Sequence, residues 1–162
     1  MKMMWQEFLT LEEKTEITSV LKELISHFKI KSHTTTEDQL QDRNSQITLS
    51  AIGRNAKQKD KENFDPFGTK RKEWIEWISA RLPKDRYTIR IGGTTSIDIT
   101  RKGMDKAYGI KRFAEQHTLP LNTMLFFGDK LQKGGNDFCV KKIGESVEVQ
   151  DPLDTYFKLQ SL

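Results

Sequence analysis

Residues 126 to 137 read FFGDKLQKGGND. Two aromatics end an apolar run, and Asp129, Asn136 and Asp137 then crowd onto a turn that needs only its glycines. Oxygen-only side chains gathered where a strand stops suit a hard cation such as Mg²⁺. That ion takes one or two carboxylates and fills its other positions with water or phosphate oxygens. Gly134 and Gly135 allow such a loop to turn tightly. The plainer alternative is an Asp/Asn/Gly turn in which Asn136 or Asp137 caps a following helix. A second group lies upstream, in SIDITRKGMDKAYGIK. Lys106 stands there at a helix start, where an ammonium and unpaired backbone N–H groups can hold one anion together. Here the plainer alternative is a surface lysine paired with Asp105 or Asp98.

The elements that must position these groups follow from periodicity. Residues 11 to 29 put Ile17, Val20, Leu21, Leu24, Ile25 and Phe28 on one helical face. HTTTEDQLQDRN reads as polar connection, and SQITLSAIG alternates Ile47, Leu49 and Ala51 inward as a half-buried strand. GRNAKQKDKENFDPFGTK reads as a long connection broken by Pro66 and Gly68, with its dense basic residues solvated. RKEWIEWISARL is helical, with Trp74 and Trp77 packing in or at the rim of a core, and Pro83 stops it. YTIRI, GG and TTSIDIT form a hairpin. MDKAYGIKRFAEQH is a helix starting near Asp105, and TMLFFGD is a strand that ends at the first chemical group. A short helix from Asn136, a strand in GESVEVQDP and a terminal helix in LDTYFKLQSL complete the chain.

The order changes near residue 100. Before it come helix, strand, helix and paired strands, as in an α+β layer. After it come helix, strand, turn and strand, the alternation of a parallel α/β sheet. The predicted class is therefore α/β, in two parts. The second part, about 60 residues long, is shorter than a complete doubly wound domain needs to cover its sheet on both faces.

Composition excludes several classes. The chain has 162 residues, 35% apolar and 31% charged, with nine Phe, three Trp and three Tyr, enough for a core. No apolar run reaches a membrane span, so no membrane partner is expected. The N-terminal stretch has glutamates where a signal peptide would be apolar. The single cysteine, Cys139, leaves no internal disulfide and reads as a half-buried thiol, while His27, His33 and His117 lack zinc-ligand spacing. A cytoplasmic chain is expected. The net charge of +4 permits an anionic partner. Acidic residues interrupt the basic run and no aromatic–basic alternation occurs, so nucleic acid is not the expected one.

A lysine at a helix start, followed about 20 residues later by a strand ending in GDxxxxGGND, resembles the haloacid dehalogenase-like phosphotransferases. SAIGRN, IRIGGTTSIDITRKGMDKAYGI, FFGDKLQKGGNDF and ESVEVQDPLDT, in collinear order over about residues 45 to 157, narrow the likeness. They resemble the eukaryotic-type phosphomannomutases and their bacterial sugar-phosphatase relatives. The resemblance implies that residues 1 to 103 are an α+β cap domain. Residues 104 to 162 would be the C-terminal half of a Rossmann-like core. It also implies that Arg54 holds the non-reacting phosphate of a phosphorylated sugar and that Ser96 and Asp98 meet the sugar side. Lys106 would hold the transferring phosphoryl group, and Asp129 and Asp137, with Asn136 beside them, would hold Mg²⁺. A guanidinium gripping one phosphate, with a cation and an ammonium neutralising the other, is chemically coherent.

Two departures qualify the expected activity. The family's cap carries further arginines after its IGR segment, whereas here lysines follow and the next arginine is Arg71. That shifts the expectation from mutase toward phosphatase. More decisively, no Asp-x-Asp occurs in the 162 residues. The superfamily's nucleophile and general acid/base are the two aspartates of a DxDGT stretch, and chemistry through an aspartyl-phosphate needs the first of them. The chain is expected to be a truncated or split form, inactive by itself, with an N-terminal core half supplied separately or the exposed apolar edge covered in a homodimer. The other reading is a non-catalytic sugar-phosphate-binding or interaction module.

Overall fold

The first helix, α1 (Leu11–His27), starts where Thr10 and Glu13 satisfy each other's backbone. Thr10 N–H donates to Glu13 Oε2 at 2.7 Å and Glu13 N–H donates to Thr10 Oγ1 at 3.2 Å, a reciprocal box over two otherwise orphaned donors. The helix stops two residues before its periodicity suggests, because Phe28 leaves it and Lys29 turns to φ 50°. The computed structural model describes residues 7–162. These fall into two compact units, divided between Lys102 and Gly103.

In the first unit, α1 is followed by β1 (Leu40–Asp42), β2 (Gln46–Ser50), α2 (Gln58–Phe64), α3 (Thr69–Ser79), β3 (Tyr87–Gly92) and β4 (Ser96–Arg101). The strands form an antiparallel sheet in the order β1-β2-β4-β3. Two elements depart from the sequence reading. β1 lies inside the stretch read as connection, since a three-residue strand is too short to display alternation. Asn44, at φ 67°, makes the turn into β2, and Asp42 Oδ1 accepts its N–H at 2.7 Å. Residues 58–64, also read as connection, are helical, yet none of them is buried. Only Phe64, at its end, packs against the core, and a helix without a buried face shows no apolar period.

Alternation along the strands gives the sheet two unlike faces. Ile47, Leu49, Ile97, Ile99 and Tyr87 pack with Ile17, Leu21 and Leu24 of α1 and Trp74 and Ile78 of α3. Truncating a fully buried residue such as Ile99 to Ala would cost about 2–5 kcal/mol. Trp77 stays at the rim, stacked on His27 with centroids 5.5 Å apart and the Arg81 guanidinium 3.5 Å from its ring. The opposite face carries Gln41, Gln46, Thr48, Ser50, Ser96 and Asp98. β2 is more enclosed than a half-buried strand, because Thr48 and Ser50 on this polar face are buried as well.

The buried Arg71–Asp65 pair ties the hairpin turn to the start of α3. Arg71 Nε donates to Asp65 Oδ2 at 2.9 Å, and Arg71 NH1 donates to the carbonyls of Gly92 and Gly93 at 3.2 and 3.0 Å. Burial pushes the Asp65 carboxyl up, but the Arg71 guanidinium and the amides of Arg71 and Lys70 more than offset it and hold it below the usual carboxylate range.

The second unit holds α4 (Lys106–His117), β5 (Leu125–Gly128), β6 (Glu145–Glu148) and α5 (Pro152–Gln160). A 3₁₀ turn lies between the strands at Phe138–Lys142, where a short helix from Asn136 is predicted. β5 and β6 pair in parallel, Leu125 against Glu145 and Gly128 against Glu148. Among the described residues the sheet ends there, with two strands. Its apolar burial is modest: Ala107, Ala114, Leu131, Val140 and Val149 are buried, while Leu153, Tyr156 and Phe157 of α5 are exposed by 62%, 56% and 61%. Among the described residues no helix is long and apolar enough to cross a membrane.

Candidate functional site

The two chemical groups met first in the sequence lie together at the C-terminal end of β5. Asp105 caps α4 by accepting the Tyr108 N–H at 3.0 Å, which makes Lys106 the first helical residue. Its Nζ forms an ion pair with Asp137 Oδ1. Lys106 is thereby tied to the loop that follows β5. Asp137 precedes the 3₁₀ turn without any side-chain cap bond, its carboxylate being directed to Lys106 instead.

The loop is built around that carboxylate. Lys130 N–H donates to Asp137 Oδ2 at 3.3 Å, and Asp137 N–H returns to Lys130 O at 3.2 Å. Gly135 is required by contact rather than by dihedral, because a Cβ there would lie 2.1 Å from Lys130 O. Gly134 supplies the positive φ, 91°. Gly128, the last residue of β5, lets Asp137 approach the strand: a Cβ on it would sit 3.0 Å from that of Asp137. Asp137 is 5% exposed, whereas the Lys106 side chain is 54% exposed. Burial pushes the Asp137 carboxyl up; the Lys106 ammonium, the Lys130 amide and the Asp129 side chain together outweigh it, so the carboxyl stays below its ordinary range.

Asp129 is exposed one residue beyond β5 and its side chain meets that of Asp137. Asn136 is exposed, and its carbonyl receives a 3.7 Å contact from the half-buried Cys139 Sγ. Beside the pair, Lys106, Ile110, Phe126, Gly128, Leu131 and Asp137 help to line a cavity of about 210 Å³. Two adjacent carboxylates, Asp129 exposed and Asp137 buried, fit a hard cation that completes its shell with other oxygens. Among the described residues no cluster of three acidic, histidine or cysteine ligands exists, so these residues offer a partial shell.

The other three predicted site residues belong to the first unit. Arg54 follows β2 and is 60% exposed, with Nε 3.8 Å from Asp38 Oδ1. Its carbonyl accepts Lys61 Nζ at 2.6 Å. Asn55 Nδ2 holds Asp38 from the side, at 2.8 and 3.0 Å. Ser96 opens β4, its Oγ 3.4 Å from that of Ser50, and Asp98 Oδ1 accepts the Thr48 hydroxyl at 2.8 Å. Sequence reasoning missed Thr48, which sits as a lone polar residue between Ile47 and Leu49. Only the pairing of β2 with β4, 50 residues apart, puts it against Asp98.

The family model for eukaryotic phosphomannomutase matches residues 3–162. The chain belongs to that family. With it comes the haloacid dehalogenase-like superfamily, as the resemblance implied. Phosphomannomutase of Schizosaccharomyces pombe is 32% identical over 127 residues, covering 74% of this chain and 48% of the relative. That of Arabidopsis thaliana is 33% identical over 127 residues, covering 74% and 49%. The chain thus spans about half the length of the curated relatives it matches. Among solved structures, an N-terminally truncated IMP-nucleotidase from Plasmodium falciparum superposes with a TM-score of 0.60 at 18% identity, over 96% of this chain and 40% of that one. SMU.1108c from Streptococcus mutans superposes at 0.58 and 15% identity, over 98% and 71%. These likenesses show the mixed α/β fold.

Proposed function

We propose that the first unit is a sugar-phosphate-binding cap and the second the C-terminal half of a phosphotransfer core. The observation that carries this reading is the Lys106–Asp137 pair, with Asp129 against it, at the carboxyl end of a parallel strand. Crevices beyond the carboxyl ends of parallel strands are where open α/β sheets take ligands. Lys106, half in water, can turn its ammonium to a phosphoryl oxygen while Asp137 holds its base. Asp129 and Asp137 would hold Mg²⁺, with Asn136 beside them, and the ion would offset phosphate charge. In the first unit, Arg54, its side chain 60% exposed and 3.8 Å from Asp38, is assigned to a phosphate, while Asp98 accepts from sugar hydroxyls and Ser96 accepts from or donates to them.

These 162 residues contain no Asp-x-Asp, and turnover is assigned to a complex in which that acid comes from elsewhere. Among the described residues β5 has a strand on one edge only, and α5 exposes Leu153, Tyr156 and Phe157. An apolar helix face and an unpaired strand edge are surfaces that further polypeptide covers. The reading commits to an N-terminal core half as that polypeptide, with a second copy of this chain as the competing occupant. Titration calorimetry with mannose phosphate tests the binding role. Arg54→Ala is expected to weaken affinity by about 1.5–3 kcal/mol, the value of a charge-assisted pair. An unchanged affinity removes Arg54 from the site.

A further inference from the structure

We infer that Thr48 and Gly92 are positioning residues that aim the Asp98 carboxylate, and that through it they set the preference for a hydroxyl-bearing ligand over bare phosphate. The inference rests on the assignment of Asp98 to the sugar side. Gln46 Nε2 donates to Thr48 Oγ1 at 2.7 Å, and Thr48 donates to Asp98 Oδ1 at 2.8 Å. An amide N–H can only donate and a threonine hydroxyl has one hydrogen, so the chain of bonds has one direction, ending on Asp98. Thr48 is 1% exposed, which fixes its rotamer and leaves its hydrogen no competing water. With Oδ1 engaged by Thr48, Oδ2 is the oxygen assigned to a ligand.

Gly92 decides where Oδ2 can be. A Cβ on Gly92 would lie 2.4 Å from Asp98 Oδ2 and 3.0 Å from its Cγ, so any side chain there would displace the carboxylate. Gly92 is itself fixed, because buried Arg71 donates to its carbonyl at 3.2 Å and to that of Gly93 at 3.0 Å. The carboxylate is thus oriented from two directions: a hydroxyl on β2 and a side-chain-free position on β3.

The test compares Thr48→Val, Thr48→Ser and Gly92→Ala in the whole chain, titrated with mannose phosphate and with inorganic phosphate. Thr48→Val removes the hydroxyl at nearly constant volume and is expected to weaken mannose phosphate roughly five- to tenfold, as for a lost hydrogen bond. Inorganic phosphate binding stays unchanged, Thr48→Ser restores the affinity, and Gly92→Ala repeats the selective loss. Parallel loss of both ligands, or failure of serine to restore, overturns the inference. A wild-type chain that binds phosphate but gains nothing from the sugar refutes the assignment of Asp98 instead. The ¹³C resonance of the Asp98 carboxyl, read without ligand, then still decides the positioning role. It moves in Thr48→Val and returns in Thr48→Ser, and a resonance indifferent to both refutes the aiming.

Discussion

Lys106→Ala is the substitution whose consequences the second unit specifies most fully. It removes the ammonium from Asp137, which is 5% exposed and keeps the Lys130 N–H, at 3.3 Å, and the contact with the Asp129 side chain. Stranding a fully buried charge costs about 3–5 kcal/mol. The Lys106 side chain is 54% exposed, so water already weakens the pair and enters when it is broken, and about 1–2 kcal/mol is the discounted expectation. Burial then acts on Asp137 without its main opponent, and its carboxyl rises. Asp137→Asn keeps the shape and the acceptor for Lys130 while removing the charge, so it costs less, about 0.5–1.5 kcal/mol. The double variant Lys106→Ala/Asp137→Asn should therefore be more stable than Lys106→Ala alone at pH 7. Hydrogen exchange of the 125–140 segment by mass spectrometry reads this locally. A loss of 1–2 kcal/mol appears as roughly 5- to 30-fold faster exchange. Wild-type exchange in Lys106→Ala, or a double variant that exchanges faster than the single, refutes the pair as the organiser of the site.

Other perturbations act elsewhere. The Arg101 guanidinium holds the Glu13 carboxyl down to about 2, so its stabilising contribution is complete above the unfolded value of about 4.3 and fades as pH falls from there toward 2. Fluorescence-monitored acid unfolding should show a loss on the order of 2 kcal/mol across that window, and Arg101→Leu should flatten it. Asp137 behaves with the same sign below about pH 4. Gly135→Ala forces a Cβ to within 2.1 Å of Lys130 O and should cost about 1–3 kcal/mol in the same exchange experiment. Arg71→Met takes the guanidinium from the buried Asp65, which keeps the Lys70 and Arg71 amides, and from the carbonyls of Asp65, Gly92 and Gly93; urea unfolding should register about 3–5 kcal/mol.

Much of this was legible in the residues, and the physical reasons separate what was from what was not. α1, α3 and α4 announce themselves because each buries one face, and the hairpin announces itself through Gly92 and Gly93 between alternating runs. α2 has no fully buried residue and β1 is three residues long, so neither has a period to detect. The residues gathered at the end of β5 were visible as a group, since Asp129, Asn136 and Asp137 exceed what a glycine turn needs. That Asp137, rather than Asp129, takes the lysine was not visible. It depends on Gly128 and Gly135 bringing the loop back onto the strand. Thr48 and Gly92 were equally silent, because their roles arise from strand register across 50 and 6 residues of chain.

The central claim is that these residues bind a phosphorylated sugar and await a catalytic acid from another polypeptide segment. An Mg²⁺-dependent phosphatase assay on the purified 162-residue chain, alone and mixed with an N-terminal core half carrying DxDGT, tests it most directly. The account predicts no turnover alone and turnover in the mixture that Asp129→Ala abolishes. Turnover by the chain alone, unaffected by Asp129→Ala, would contradict it.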